Sequence, residues 1–106
     1  MEKYNISQFT KGWFLGNFEP SLDATNNFEI AVKYYKFGDY EERHYHEIAT
    51  EYTVIVKGKV LMNNELFEEG DIIVIQPGES TDFSSLDDTI TTVIKTPSIK
   101  NDKYNV

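Results

Sequence analysis

Gly38-Asp39-Tyr40-Glu41-Glu42-Arg43-His44-Tyr45-His46-Glu47-Ile48-Ala49-Thr50-Glu51-Tyr52-Thr53-Val54-Ile55-Val56-Lys57-Gly58 is the stretch whose reading decides the fold. Gly38-Asp39 is a turn, and Tyr52–Val56 is rich in the β-branched and aromatic residues that suit a pleated surface. His44 to His46 reads as a short strand. Side chains on a strand repeat every two residues, so His44 and His46, the only histidines of the chain, point to the same side. Four residues separate His46 from Glu51, across a bend at Ile48-Ala49-Thr50. A carboxylate at the start of the next strand can turn toward the same pocket.

The flanking sequence continues the β pattern. Upstream, Phe28 to Phe37 is a strand dense in Ile, Val, Tyr and Phe, preceded by a polar loop from Pro20 to Asn27. Trp13-Phe14-Leu15, bounded by Gly12 and Gly16, reads as a first edge strand or an aromatic lid over one end of the core. Downstream, Asn63-Asn64 suits the positive-φ positions of a tight turn and predicts a hairpin of Lys59–Met62 with Glu65–Phe67. Gly70-Asp71 turns the chain into Ile72–Ile75, which is apolar on both sides and predicts one face toward the core and the other against a second sheet or a subunit. After Pro77-Gly78 come Thr81–Ser84 and Thr89–Lys95, and Pro97 ends the last strand. The tail Ile99–Val106 is polar apart from its aromatic and aliphatic anchors, Tyr104 and Val106. No helical period persists for three turns. The expectation is an all-β domain spanning 1–106, two antiparallel sheets closed into a short barrel with negligible helix.

Composition narrows the function classes. With 40% apolar and 14% aromatic residues, the chain of 106 is too rich in large apolar side chains to be disordered. The absence of cysteine excludes disulfides, thiolate ligands and a cysteine nucleophile, and fits a reducing, cytoplasmic compartment. Met1-Glu2-Lys3-Tyr4-Asn5 has no basic segment leading into a hydrophobic run, so no cleaved signal peptide is expected. The longest apolar run, Ile72–Ile75, is far too short to span a membrane. A formal net charge of −8, with Lys and Arg scattered, argues against nucleic acid and anionic membranes as partners.

Two imidazoles and one carboxylate match the preference of Fe(II), Mn(II), Zn(II) or Ni(II) for mixed nitrogen and oxygen ligands, and leave positions open for water or substrate. The spacing Gly38-x5-His44-x-His46-x4-Glu51-x6-Gly58 resembles the first conserved motif of the cupins. Gly70-Asp71-Ile72-Ile73-Val74-Ile75-Gln76-Pro77-Gly78 looks like the start of their second. The resemblance runs from residue 38 to about 84. It implies a cupin-like double-stranded β-helix, or jelly-roll barrel, commonly dimeric, with His44, His46 and Glu51 as metal ligands inside. Cupins usually supply another histidine three residues after the second motif's Pro-Gly turn, and here that position is Thr81.

The strand period places Thr81 and Phe83 inward and Asp82 on the opposite face. Tyr52 joins Thr81 and Phe83 as an expected pocket residue, and Arg43 points away toward a salt bridge or subunit contact. Two functions follow. One is a metal-dependent reaction on a small molecule, with Thr81 or a nearby tyrosine orienting substrate. The other is recognition of a small polar metabolite without metal or turnover. In both, a homodimer is expected.

Overall fold

A computed structural model describes the whole chain, Met1–Val106. Two single turns of 3-10 helix, Ile6–Gln8 and Thr10–Gly12, lead into β1 (Trp13–Leu15). There follow β2 (Glu29–Tyr35), β3 (Tyr40–Tyr45), β4 (Thr50–Lys57), β5 (Lys59–Met62), β6 (Glu65–Glu68), β7 (Ile72–Ile75), β8 (Thr81–Ser85), β9 (Thr89–Thr96) and β10 (Tyr104–Asn105). They form two five-stranded sheets, ordered β1-β2-β9-β4-β7 and β10-β3-β8-β5-β6, with every pairing antiparallel. This is the expected all-β jelly roll.

The predicted turns form for the predicted reasons. Asn63 and Asn64 take φ of 53° and 63° between β5 and β6, where a short polar side chain tolerates the left-handed region. Gly12, at φ 81°, packs so closely that a Cβ there would collide with the Val32 carbonyl oxygen; this close approach brings β1, and Trp13 with it, onto β2.

The tail departs from expectation. Beyond Pro97 the chain adds β10, which pairs with β3 and stacks Tyr104 on Tyr45 with ring centroids 5.3 Å apart. On the way it buries Asp102, whose two carboxylate oxygens accept hydrogen bonds from the backbone N–H groups of Glu47, Ile48 and Ala49 at 3.0–3.2 Å. A carboxylate accepting several backbone donors fixes a segment that has no ladder partners of its own. That segment follows directly on His46.

The barrel interior is divided. One part is filled by Ile55, Val60, Met62, Ile75 and Phe83, with Tyr35, Phe67 and Ile73 packed against them. Elsewhere the inward positions are polar: Thr53, Thr81 and Thr91 are buried and line a cavity of about 250 Å³. On β2 and β9 the larger aliphatic residues Ile30, Val32, Ile90 and Ile94 face outward, while Ala31 and Val93 are buried. Cross-strand pairing aligns Ile30, Ile94, Tyr52 and Val74 in one row and Val32, Thr92, Val54 and Ile72 in another on the outer face of the first sheet. Ile72 and Val74, on the free edge strand β7, are 64% and 46% exposed. The two-sided apolar run therefore has one face in the barrel and the other in solvent.

Candidate functional site

The cavity draws on both sheets. β1 contributes Trp13, β2 Lys33 and Tyr35, β4 Glu51 and Thr53, and β9 Thr91, Val93 and Lys95. From the second sheet come Glu41 and His44 on β3, Met62 on β5, and Thr81 and Phe83 on β8. His46 lies just past the end of β3. The expected residues His44, His46, Glu51, Thr81 and Phe83 thus share one cavity. Asp82 faces away, accepts from Arg43 at 3.4 Å and receives the Asn63 backbone N–H.

Tyr52 does not belong to the cavity. The two-residue period that turns Glu51 and Thr53 inward turns Tyr52 out, where it is 37% exposed.

Each histidine is held through a different nitrogen. His44 Nδ1 donates to the Glu42 carbonyl at 2.8 Å, which fixes the ring and leaves Nε2 as the free nitrogen. The His46 ring meets the His44 ring edge-on, with centroids 5.4 Å apart. His46 Nε2 lies 3.0 Å from Nζ of Lys95. An ammonium has only protons to give, so Nε2 accepts and neutral His46 carries its proton on Nδ1. That nitrogen faces Glu51 Oε1 at 3.9 Å, while Glu51 Oε2 accepts from the Thr53 hydroxyl at 2.8 Å. Burial, then the charges of Lys95 and His44, push the His46 pKa down to about 4.

Two lysines share the interior with these groups. Lys95 Nζ is 3.7 Å from Glu29 Oε2, and it lies 4.9 Å from the centroid of the Trp13 ring. Lys33 Nζ is 5.2 Å from the same ring. A single indole therefore faces two cations, within the range where its π-face attracts them. Burial lowers the Lys33 pKa, Glu41 opposes that, and the neighbouring Lys95 adds to it. Tyr35 donates to Glu41 at 3.1 Å, and burial followed by the Glu41 charge raises its pKa.

As arranged, the three expected ligands do not fit a transition metal. The nitrogen His46 would offer is occupied by a positively charged ammonium, and Glu51 lies beside the opposite nitrogen of the ring. No three His, Cys, Asp or Glu side chains form a group that could hold a metal ion.

Sequence reasoning missed Lys33, Lys95 and Glu41. The alternation on β2 and β9 invites the reader to turn Ile30, Val32 and Tyr34, or Ile90 and Ile94, toward the core. The observed faces are the reverse, with Ala31, Lys33 and Tyr35 inside on β2 and Thr91, Val93 and Lys95 inside on β9. Glu41 and His44 both reach the cavity because the pairing of β3 with β8 shifts register between them.

No family model matches the chain, and no curated protein matches it. Solved structures do. An uncharacterized conserved protein with a double-stranded β-helix domain from Klebsiella pneumoniae superposes with a TM-score of 0.78 at 13% identity, covering 98% of this chain and 90% of its own. An RmlC-like cupin from Shewanella frigidimarina gives 0.66 at 14% identity over 72% and 71% of the two chains. A sugar phosphate isomerase from a cupin superfamily, from Silicibacter pomeroyi, gives 0.61 at 18% identity over 66% and 50%. The class is a double-stranded β-helix with a polar cavity between its sheets. The fold is that of the cupins.

The neutral state of His46 has a measurable consequence. The unfolded chain takes up a proton near the ordinary histidine pKa of about 6.5, whereas the folded chain resists until about pH 4. Stability is thus full above about 6.5 and falls as pH drops toward about 4, by at most about 3 kcal/mol from this group. Denaturant unfolding from pH 7 to 4, with a His46→Gln variant as reference, should show that loss in the wild type alone.

Proposed function

We propose that the barrel binds a small anionic metabolite, bearing a carboxylate or phosphate, without a metal. The observation that carries this reading is the Lys95 ammonium 3.0 Å from His46 Nε2, in the position where a bound cation would compete with it. Lys33 and Lys95 reach the cavity among Glu41 and Glu51, with Glu29 paired to Lys95 and the exposed Lys11 and Lys103 also on its lining, so ammonium groups are available to a ligand there in a chain of formal charge −8. An anion there would replace lost hydration with charge-assisted hydrogen bonds. Thr81 and Thr91 add neutral hydroxyl side chains to the cavity wall. The volume of about 250 Å³ suits a metabolite of modest size. The sugar phosphate isomerase of the same fold is named for an anionic substrate, which is compatible with this reading; fold alone does not choose among functions.

A competing reading keeps His44, His46 and Glu51 as ligands of Fe(II), Mn(II), Ni(II) or Zn(II). It is favoured by the anchoring of His44 Nδ1 on a backbone carbonyl and requires Lys95 to leave His46. Calorimetric titration of chelator-treated protein with each metal and with carboxylates separates the two. The anion reading expects binding of a carboxylate and no metal affinity tighter than about 100 μM. Metal binding that is lost in His46→Ala would overturn it.

The partner we propose for the outer face of the first sheet is a second copy of the chain. The two rows described above, apolar apart from Thr92, reach β7, whose free edge offers unpaired backbone groups to the same strand of a symmetry mate. Sedimentation velocity at tens of micromolar should give a dimer. Ile72→Lys combined with Val74→Lys should give a folded monomer, since both side chains are largely in solvent and neither packs in the core. A wild type that stays monomeric contradicts the proposal.

A further inference from the structure

We propose that Lys33 is a nucleophilic amine that forms an imine with the carbonyl carbon of a small oxo acid seated in the barrel. The inference rests on the anion reading above and adds to it a carbonyl group next to the acid. Lys33 differs from Lys95 in what holds it. Lys95 has Glu29 and His46 as partners, whereas Lys33 forms no ion pair and rests against the Trp13 ring. It is the cross-strand neighbour of Thr91, whose side chain is buried beside Tyr35. An apolar ring and an amine without an ion-pair partner thus stand together on the cavity wall.

Lys33, Lys11, Tyr35 and Glu41 line the interior cavity and also a second hollow of about 480 Å³ beside the N-terminal turns, so Lys33 stands on a wall common to both. The charged groups around it are Glu41 from β3, Lys95 from β9, Glu51 from β4 and Lys103 from the C-terminal segment. Burial outweighs the carboxylates, and the lowered pKa enlarges the fraction of free amine at neutral pH.

The chemistry balances without a redox partner. The Lys33 nitrogen lone pair attacks the carbonyl carbon, the C–N bond forms, and the carbonyl oxygen takes a proton to give a carbinolamine. Loss of that hydroxyl with a proton, as water, leaves the C=N bond. The free Nε2 of His44 lines the same cavity and can relay the proton. Lys95 offers its ammonium to the ligand's carboxylate.

The test uses glyoxylate and pyruvate as carbonyl probes, with glycolate and lactate as their saturated counterparts. Wild-type protein incubated with each keto probe and sodium cyanoborohydride is digested and mapped by mass spectrometry. The expected result is a reduced adduct on Lys33 at least tenfold above that on exposed Lys36, lost in Lys33→Met and suppressed by excess lactate. If glycolate or lactate binds by calorimetry but Lys33 is modified no faster than Lys36, the imine is wrong and the anion reading stands. If none of the four binds and Lys33 is not favoured, the imine is wrong, and the anion reading is left to the oxalate and phosphate titrations that test it separately. Mapping in wild type alone decides the matter even if Lys33→Met does not fold.

Discussion

Asp102→Ala should destabilise the protein by about 3 kcal/mol and lower its melting temperature by roughly 10–20 °C, the largest stability effect expected of any single polar substitution here. The side chain is only 5% exposed and satisfies the backbone N–H groups of Glu47, Ile48 and Ala49. Truncation strands all three. Glu47 and Ile48 are exposed and can turn to water, but Ala49 is 3% exposed and cannot without the loop opening. The cost is therefore dominated by one buried donor together with the charge-assisted character of the lost bonds. Asp102→Asn keeps one acceptor oxygen and should cost less. The loop begins immediately after His46, so the alanine variant should also broaden the His46 ring signals in NMR. Thermal unfolding by circular dichroism checks the first effect; a loss under about 1 kcal/mol would show that the tail does not hold this loop.

Lys95→Met is the second large effect. Methionine keeps much of the length and apolar stem of lysine and removes the charge, so packing against Trp13 changes little. A charge-assisted hydrogen bond to a bound carboxylate is worth about 1.5–3 kcal/mol, which predicts roughly a 10–100-fold loss of affinity for the anion. His46 responds in the opposite sense. Removing the Lys95 charge takes away one of the causes that depress its pKa, so the His46 titration midpoint should move upward from about 4. A pure packing role for Lys95 would produce neither change. Under the metal reading the same variant frees His46 Nε2 and tightens metal binding.

The outline of the fold could be read from turn chemistry. Gly38-Asp39, Asn63-Asn64 and Gly70-Asp71 all end strands where their backbone preferences say they should. The two-motif resemblance located His44, His46, Glu51 and the Thr81 position, and the strand period added Phe83; all five line one cavity. Less legible was which face of β2 and β9 is inside. Hydrophobicity predicts the wrong face, because the interior here is a polar cavity and the exterior an apolar sheet surface. Lys33 and Lys95 are visible in the sequence only as isolated charges within apolar strands, and such a charge is the signal to question the face assignment. Tyr52 was misplaced for a simpler reason: its neighbour Glu51 was already inward, and a strand cannot turn both to one side. Asp102 carried no sequence signal, since its role depends on a loop 53 to 55 residues earlier.

The most direct test of the central claim is titration of chelator-stripped protein with pyruvate, lactate, oxalate and glycerol 3-phosphate, read by calorimetry and by the fluorescence of Trp13. That indole is the only one in the chain and lies about 5 Å from both lysine ammonium groups, so an anion binding to either lysine should alter its surroundings. The account predicts that at least one of these anions binds with Kd below about 1 mM without metal, shifts the Trp13 emission, and binds at least tenfold more weakly to Lys95→Met. No binding to stripped protein, with binding restored only on adding Fe(II), Mn(II), Ni(II) or Zn(II), would contradict it.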